Sequence, residues 1–433
     1  MRTAAGANAA TELERAEETV EARSAVFAKE LGLIDLAFMQ VLIIVGPMWV
    51  GTAGKLGSAH LLFWLAAILL FDVPMAIVVI YLNRLMPLEG GLYQWAKLGF
   101  SEWMGFMVAW NLWLNALLLL ASAGLLVANA LSYALGPSAA WMATDKSFIT
   151  AMGCTFTAAV MLLSARGFGV AKWMHNTGSA VTLLMYVALL TLPIVNVLRG
   201  TLRDYHPFAA ATPALSLFSL NIFAKMAFGA FCGFEQVAIF AGECRNPART
   251  IAGSVLLAAP VVVLMYVLGT SAVLAFVRPG DIDLVGPIPQ VLTLGFNALG
   301  LPVSIAPFVI LASLAAGMMT LSVYFSESTR LPLVTGWDAL LPEWFTRLHP
   351  RYKTPINSIL FVGAATAAIG VASLYGVGEQ EAFQLLLNTG LNFYALTYLV
   401  MFAIPLIGLR GADVHRPLWL RLAAVSGLLV TLL

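Results

Sequence analysis

Lys225 and Glu235 are the two groups whose placement in this chain most demands chemistry. They share one apolar stretch, residues Ser216 to Pro247, SLFSLNIFAKMAFGAFCGFEQVAIFAGECRNP. The stretch is long enough to cross a bilayer, and Gly229 and Gly233 stand between the two charges. Charge and unpaired backbone are costly in hydrocarbon, so a passive membrane helix avoids both. Close helix packing would account for the glycines but not for the opposite charges. The stretch therefore reads as a helix broken near mid-membrane, whose freed amides and carbonyls can hold the polar ends of a small molecule. Lys225 lies roughly 15 Å in from Ala214 at the helical rise, far for a snorkelling lysine. An ammonium at that depth can bind an anion or exchange a proton. Glu235 can cap broken-helix amides, contact a cation, gate, or meet Lys225 if the unwound segment brings the two together.

The elements that must position these groups follow from composition. The chain has 433 residues, 61% of them hydrophobic and 10% charged, with a mean hydropathy of +0.89. Soluble domains carry about a quarter charged residues, so this is an integral membrane protein. Apolar runs of spanning length lie near 33–54, 60–83, 103–135, 147–165, 174–198, 215–243, 251–277, 300–328, 355–374, 383–409 and 417–433. They predict an all-α polytopic protein of about eleven transmembrane helices, or twelve if one more returns the C-terminus to the starting side. With the N-terminus inside, 17 of the 23 Lys and Arg fall on inner segments and 5 on outer ones, leaving Lys225 within a span. That bias predicts a cytoplasmic N-terminus in the cell membrane. Residues 1–30 read as a polar, acidic tail that is retained, because they lack an apolar core and a cleavage site. The net charge of +1 and the absence of a basic tract exclude a nucleic-acid partner. Cys154, Cys232 and Cys244 have no metal or disulfide spacing, and the loop near 136–146 has no cysteine for a linked accessory chain. No metal and no cofactor is expected; the partners are lipid, a small-molecule substrate and a coupling ion.

The first span is interrupted as well. Gly46-Pro47 sits in its middle, and proline removes an amide donor and clashes with the preceding turn. Two interruptions, five spans apart, predict two five-helix repeats, 31–200 and 210–410, with the site between the breaks. One wall is expected from Gly46, Pro47, Met48 and Trp49, and the other from Phe228, Gly229, Ala230, Phe231, Cys232 and Gly233. Asp35 and Glu327, near helix ends, are candidates for an inner gate with Arg249 or Arg330. Asp72, Asn111 and Asn115 read as helix–helix contacts. Ser313, Thr320 and Ser322 offer oxygens that a sodium ion would accept. Residues 281–299 read as an outer lid or interfacial helix, and 330–355 as a wet inner loop.

Three stretches resemble the amino acid–polyamine–organocation transporter superfamily. They are Gly90, Gly91, Tyr93, Trp95, Gly105, Phe106 and Trp110; then Phe231, Gly233, Phe234, Glu235, Ala241, Glu243, Asn246, Pro247, Arg249 and Ile251; then Ser326, Arg330, Trp337, Leu341, Pro342, Phe345 and Pro355. The resemblance implies the leucine-transporter-type 5+5 inverted repeat with helices 1 and 6 discontinuous, followed by peripheral helices, of which 411–433 begins one. It implies a secondary transporter of amino acids or related amines working by alternating access. A polyamine or organic-cation carrier and a non-transporting, transporter-like sensor are the alternatives. The sequence departs from the family's pattern at the first break, where Pro47 and Met48 replace small residues with free amides and weaken a carboxylate nest. That departure, with Glu235 and the aromatics nearby, gives cationic substrates added weight. It departs again on the fifth helix, where Thr182 stands at a lysine position; Lys225 is expected to serve as the proton-linked group, the proton being preferred to sodium. An enzyme is not expected: His60, His175, His206, His349 and His415 are scattered without paired-ligand spacing, and no nucleotide-binding motif is present.

Overall fold

The computed structural model describes residues 18–19, 22, 29–166, 168–212, 214–284, 286–300, 305–408 and 416–433, with the side chains of 168–175 and 337 left aside. Most of the predicted tail at 1–30, together with Lys172, His175 and the stretch 409–415, therefore lies outside what is described.

The described chain is almost wholly helical. In order it runs α1 Leu33–Ile44, α2 Pro47–Gly54, α3 Gly57–Leu85, the short α4 Leu92–Gly99, α5 Glu102–Leu135, α6 Lys146–Ala165 and α7 Phe168–Leu198. It continues with α8 Leu217–Ala230, the 3₁₀ segment α9 Gln236–Glu243, α10 Pro247–Phe276, α11 Pro287–Ala298, α12 Ile305–Trp337, α13 Ile356–Ser373, α14 Glu379–Ile407 and α15 Leu418–Leu432. Eight of these are long and apolar enough to cross a membrane, and α1 with α2 form a further span bent by 45°. α8 and α15 are shorter apolar helices.

Backbone and side-chain contacts define two ends of the bundle. At the proximal end the Leu31 amide donates to Glu243 O at 3.0 Å, Gly90 N to Ile239 O at 3.3 Å, and Thr354 Oγ1 to Ala165 O at 3.0 Å. At the distal end Ala211 N donates to Ser58 O, Lys55 Nζ to Gly280 O, and Lys146 Nζ to Leu374 O. Each connection thus satisfies polar groups that hydrocarbon would leave bare.

One boundary differs from the sequence reading, and one segment read as a lid or an interfacial helix takes form. The eighth span does not end near 328: α12 carries on through Pro332 to Trp337, burying Arg330 inside a helix. Thr335 Oγ1 donates to the carbonyls of Leu331 and Pro332 there. The 281–299 segment is part helix: α11 buries Pro287, Ile288, Val291 and Leu292 against the bundle.

Candidate functional site

The first break falls at Val45–Gly46, and Pro47 already begins α2. Proline has no amide hydrogen, so the carbonyls of the last α1 turn lose helical partners. Side chains from other helices supply substitutes. Tyr266 of α10 donates its hydroxyl to Ile44 O, and the same oxygen accepts from Gly46 N at 3.1 Å. From α12, Thr320 Oγ1 bonds Leu42 O at 3.1 Å, and Tyr324 OH lies 3.4 Å from Ile43 O. Thr320 thus serves the break's backbone. Trp64 stacks on Tyr266 with centroids 5.1 Å apart, fixing the ring that holds the break.

The second break lies at the later of the two glycines. Lys225–Ala230 forms a π-helical turn that still contains Gly229, and the chain unwinds only across Cys232–Glu235 before α9. Gly233 adopts φ +128°, a conformation that favours glycine. Its amide donates to Tyr398 OH at 3.0 Å. A side chain on Gly233 would lie 3.0 Å from Ile44 and 3.1 Å from Ile43, so the two breaks touch here. They touch again where the Trp49 ring fills the space a Cβ of Gly229 would need.

A cavity of about 180 Å³ opens at this junction. Of the ten residues predicted for its walls, Gly46, Pro47, Met48, Trp49, Gly229 and Cys232 line it. Phe228, Ala230, Phe231 and Gly233 are buried behind it. Phe231 stands edge-on to Trp64 and Tyr266, and Phe228 to Tyr398 at 5.1 Å. The polar lining comes from Asn115, Asn129, Ser313, Thr320, Tyr324 and Tyr394. Sequence reasoning gave Asn115 a packing role and overlooked the tyrosines. Their one legible signal is that a tyrosine hydroxyl in hydrocarbon needs a partner.

The predicted charged groups occupy separate places. Glu235 is 1% exposed, and its two oxygens accept from the hydroxyls of Tyr394 and Tyr398. Gln236 Nε2 donates to Tyr394 OH at 2.7 Å, extending the network. Glu235 does not meet Lys225. Lys225 is half-buried on the far side of Trp49, lining a distal cavity with Lys55. Glu327 is buried on α12, and its Oε2 has no hydrogen-bond partner. Asp35 accepts from Gly32 N at 2.9 Å and Asn176 Nδ2 at 2.8 Å, tying α1 to α7.

The proximal end is sealed below the breaks. Arg330 pairs with Glu243 of α9, both buried. Glu89, in the turn before α4, accepts from Gly242 N at 2.5 Å. Burial raises its pKa to about 8, against the opposing pull of Arg330. Nearby, Lys97 and the Tyr93 hydroxyl both engage Asp338, Lys97 at 2.7 Å.

Comparison with known proteins places this geometry. The amino acid permease family model matches residues 31–430. An uncharacterized transporter of Legionella pneumophila is 23% identical over 391 residues, 90% of this chain and 83% of its own length. The probable agmatine/putrescine antiporter AguD of Lactococcus lactis is 21% identical, over 90% of this chain and 83% of its own. The branched-chain amino acid permease BcaP of Bacillus subtilis is 22% identical, over 83% of this chain and 79% of its own. The crystal structure of MhsT in complex with L-phenylalanine superposes with a TM-score of 0.67 at 16% identity, covering 94% of this chain and 98% of that one. That likeness shows the leucine-transporter-type fold, and the family and its members are membrane transporters rather than enzymes. The chain belongs to the amino acid permease family, within the amino acid–polyamine–organocation superfamily.

Proposed function

We propose that this protein is a secondary carrier of amino acids or related amines, working by alternating access at the cavity between the two breaks. The observation that carries the reading is that cavity itself, walled by Gly46, Pro47 and Met48 on one side and Gly229 and Cys232 on the other. Discontinuous helices meeting at mid-span leave backbone amides and carbonyls free for a polar solute. The repeats 31–200 and 210–410 would then move against each other, with the N-terminus in the cytoplasm, the proximal end facing inward and the cell membrane as the location. A proton is the favoured coupling ion over sodium, since buried Glu235 and Glu327 offer protonatable groups near the breaks.

Relatives named for branched-chain amino acids and for agmatine and putrescine span both substrate classes. The mainly apolar lining favours amino acids with apolar side chains, because Glu235, the group that would attract a cation, is held by Tyr394 and Tyr398 away from the cavity. A thermal-shift screen of purified protein tests this. A ligand present at about 100 times its Kd stabilises the native state by about 2.7 kcal/mol. The expected result is a shift with leucine- or phenylalanine-like amino acids, followed by their uptake into proteoliposomes. A shift with putrescine alone would move the substrate class to polyamines. Ligand binding without uptake in any gradient would point to a sensor.

A further inference from the structure

The distal cavity, about 430 Å³, shares Met48, Trp49 and Leu387 with the central cavity, so these three side chains form the partition between the two. Its other polar lining includes Lys55, Lys225, Asn221 and Gln384, with no carboxylate. Lys55 donates to Gly280 O at 3.2 Å. Lys225 has no hydrogen-bond or ion partner among the described residues. Two ammonium groups facing one recess repel each other, and an anion between them relieves that repulsion. Carboxylates do stand close by: Asp281 and Asp283 line an adjoining recess that shares Lys55, Gly280, Leu284 and Gln384. Asp283 accepts from Tyr133 OH at 2.6 Å. Positive charge therefore sits against the partition and negative charge further out.

We propose that this cavity is a second binding site, an antechamber that takes a zwitterionic solute, with its carboxylate on Lys225 and Lys55 and its ammonium towards Asp281. The assignment rests on the carrier reading above and narrows it to amino acids over polyamines. A polyamine could set one ammonium towards Asp281 but would bring its other to the two like charges of Lys55 and Lys225. Asn221 and Gln384 supply neutral donors for the second carboxylate oxygen. The solute would wait here until Met48, Trp49 and Leu387 part.

The test uses the full chain in nanodiscs and three probes that differ in one group each: 4-iodo-L-phenylalanine, 3-(4-iodophenyl)propionate without the amine, and 4-iodophenethylamine without the carboxylate. Calorimetric titration is expected to rank the zwitterion first and to show the amine at least tenfold weaker. Lys225→Gln should lower zwitterion affinity about tenfold, and Lys225→Arg should restore most of it. The iodine signal in crystals should place a probe on the Lys55 side of Trp49. Equal binding of amine and zwitterion, or affinity unchanged in a Lys55→Gln/Lys225→Gln double variant, would overturn the proposal. So would iodine found only in the central cavity. Uptake separates the two readings: probes bound at the antechamber with no amino acid transported would sink the carrier, whereas uptake with no lysine-dependent discrimination sinks the antechamber alone. A proton-linked role for Lys225 instead predicts a shifted pH profile of uptake in Lys225→Gln with probe affinities unchanged, and that result also overturns it.

Discussion

At the scale of single residues, the site depends on a few atoms that have no room to move. Gly229 is the sharpest case, because the indole of Trp49 occupies the place of its missing side chain. Trp49 also belongs to the partition between the two cavities. Gly229→Ala would push the indole away from the π-helical turn and change the shape of both. Overpacking of this kind costs about 1–3 kcal/mol. Uptake is expected to fall at least tenfold while the protein still inserts and folds, as read by proteoliposome transport beside size-exclusion elution. Wild-type uptake in that variant would show that the indole is free to swing. Tyr266 is the second case. Its hydroxyl gives a hydrogen to Ile44 O and takes one from Gly46 N. Gly46 N and Ile44 O keep their 2.8 Å bond to one another in Tyr266→Phe, so each loses its second partner only, and a lost hydrogen bond costs about 0.5–1.5 kcal/mol. The thermal midpoint should drop, and an unchanged midpoint would mean that the break is held by α2 and α12 alone.

At the scale of elements, the first break was legible because proline and glycine are strong punctuation: Gly46-Pro47 can be read directly as a lost donor and a kink. The second was legible from its two glycines, of which Gly233 lies in the unwound turn and Gly229 stays in helix. Gly229 tolerates helix when a neighbouring ring needs its space, and the unwinding is set by Gly233, whose positive φ has no counterpart at Gly229. Packing, unlike backbone chemistry, depends on which helices lie opposite. That is why the stabilising tyrosines at 266, 324, 394 and 398 were missed, and why Phe228 and Phe231 were counted as walls. The same reason explains α12. Arg330 looked like an inner-loop cation, yet pairing with Glu243 lets it stay in a buried helix. One prediction belongs here. Pro47→Ala restores an amide hydrogen that could bond Ile43 O and extend α1 across the break. Stability should change little, because Pro47 stands in the first turn of α2, where proline is tolerated, while uptake falls as the hinge stiffens. Uptake retained together with an unaltered bend would show that Tyr266 and Gly46 enforce the break without help from proline.

At the scale of the whole molecule, the proximal seal joins four parts of the chain. Glu89 comes from the turn before α4, Glu243 from α9, Arg330 from α12, and Lys29 from the segment before α1. Two carboxyl groups share one buried guanidinium, and burial holds the Glu89 carboxyl at about 8 against an ordinary value of 4.5. The sealed form therefore binds a proton that an unfolded or opened form, with Glu89 in water, releases. For an acid whose pKa is raised by folding, the linked stability is fully present below the ordinary value and is lost as pH rises through the raised one. The sealed state should accordingly weaken between about pH 5 and pH 8, and the thermal midpoint should decline over the same interval. Glu89→Gln keeps the acceptor for Gly242 N–H and removes the proton, so its midpoint should lie flatter across that window. Proximal accessibility gives an independent readout: a cysteine placed at Thr335, beside the seal and buried in the closed form, should react with a membrane-impermeant thiol reagent faster at pH 8 than at pH 6 in the wild-type background. In the Glu89→Gln background the two rates should be equal. A pH-dependent rate that survives the substitution would assign the effect to another group and leave Glu89 as a cap for the α9 backbone.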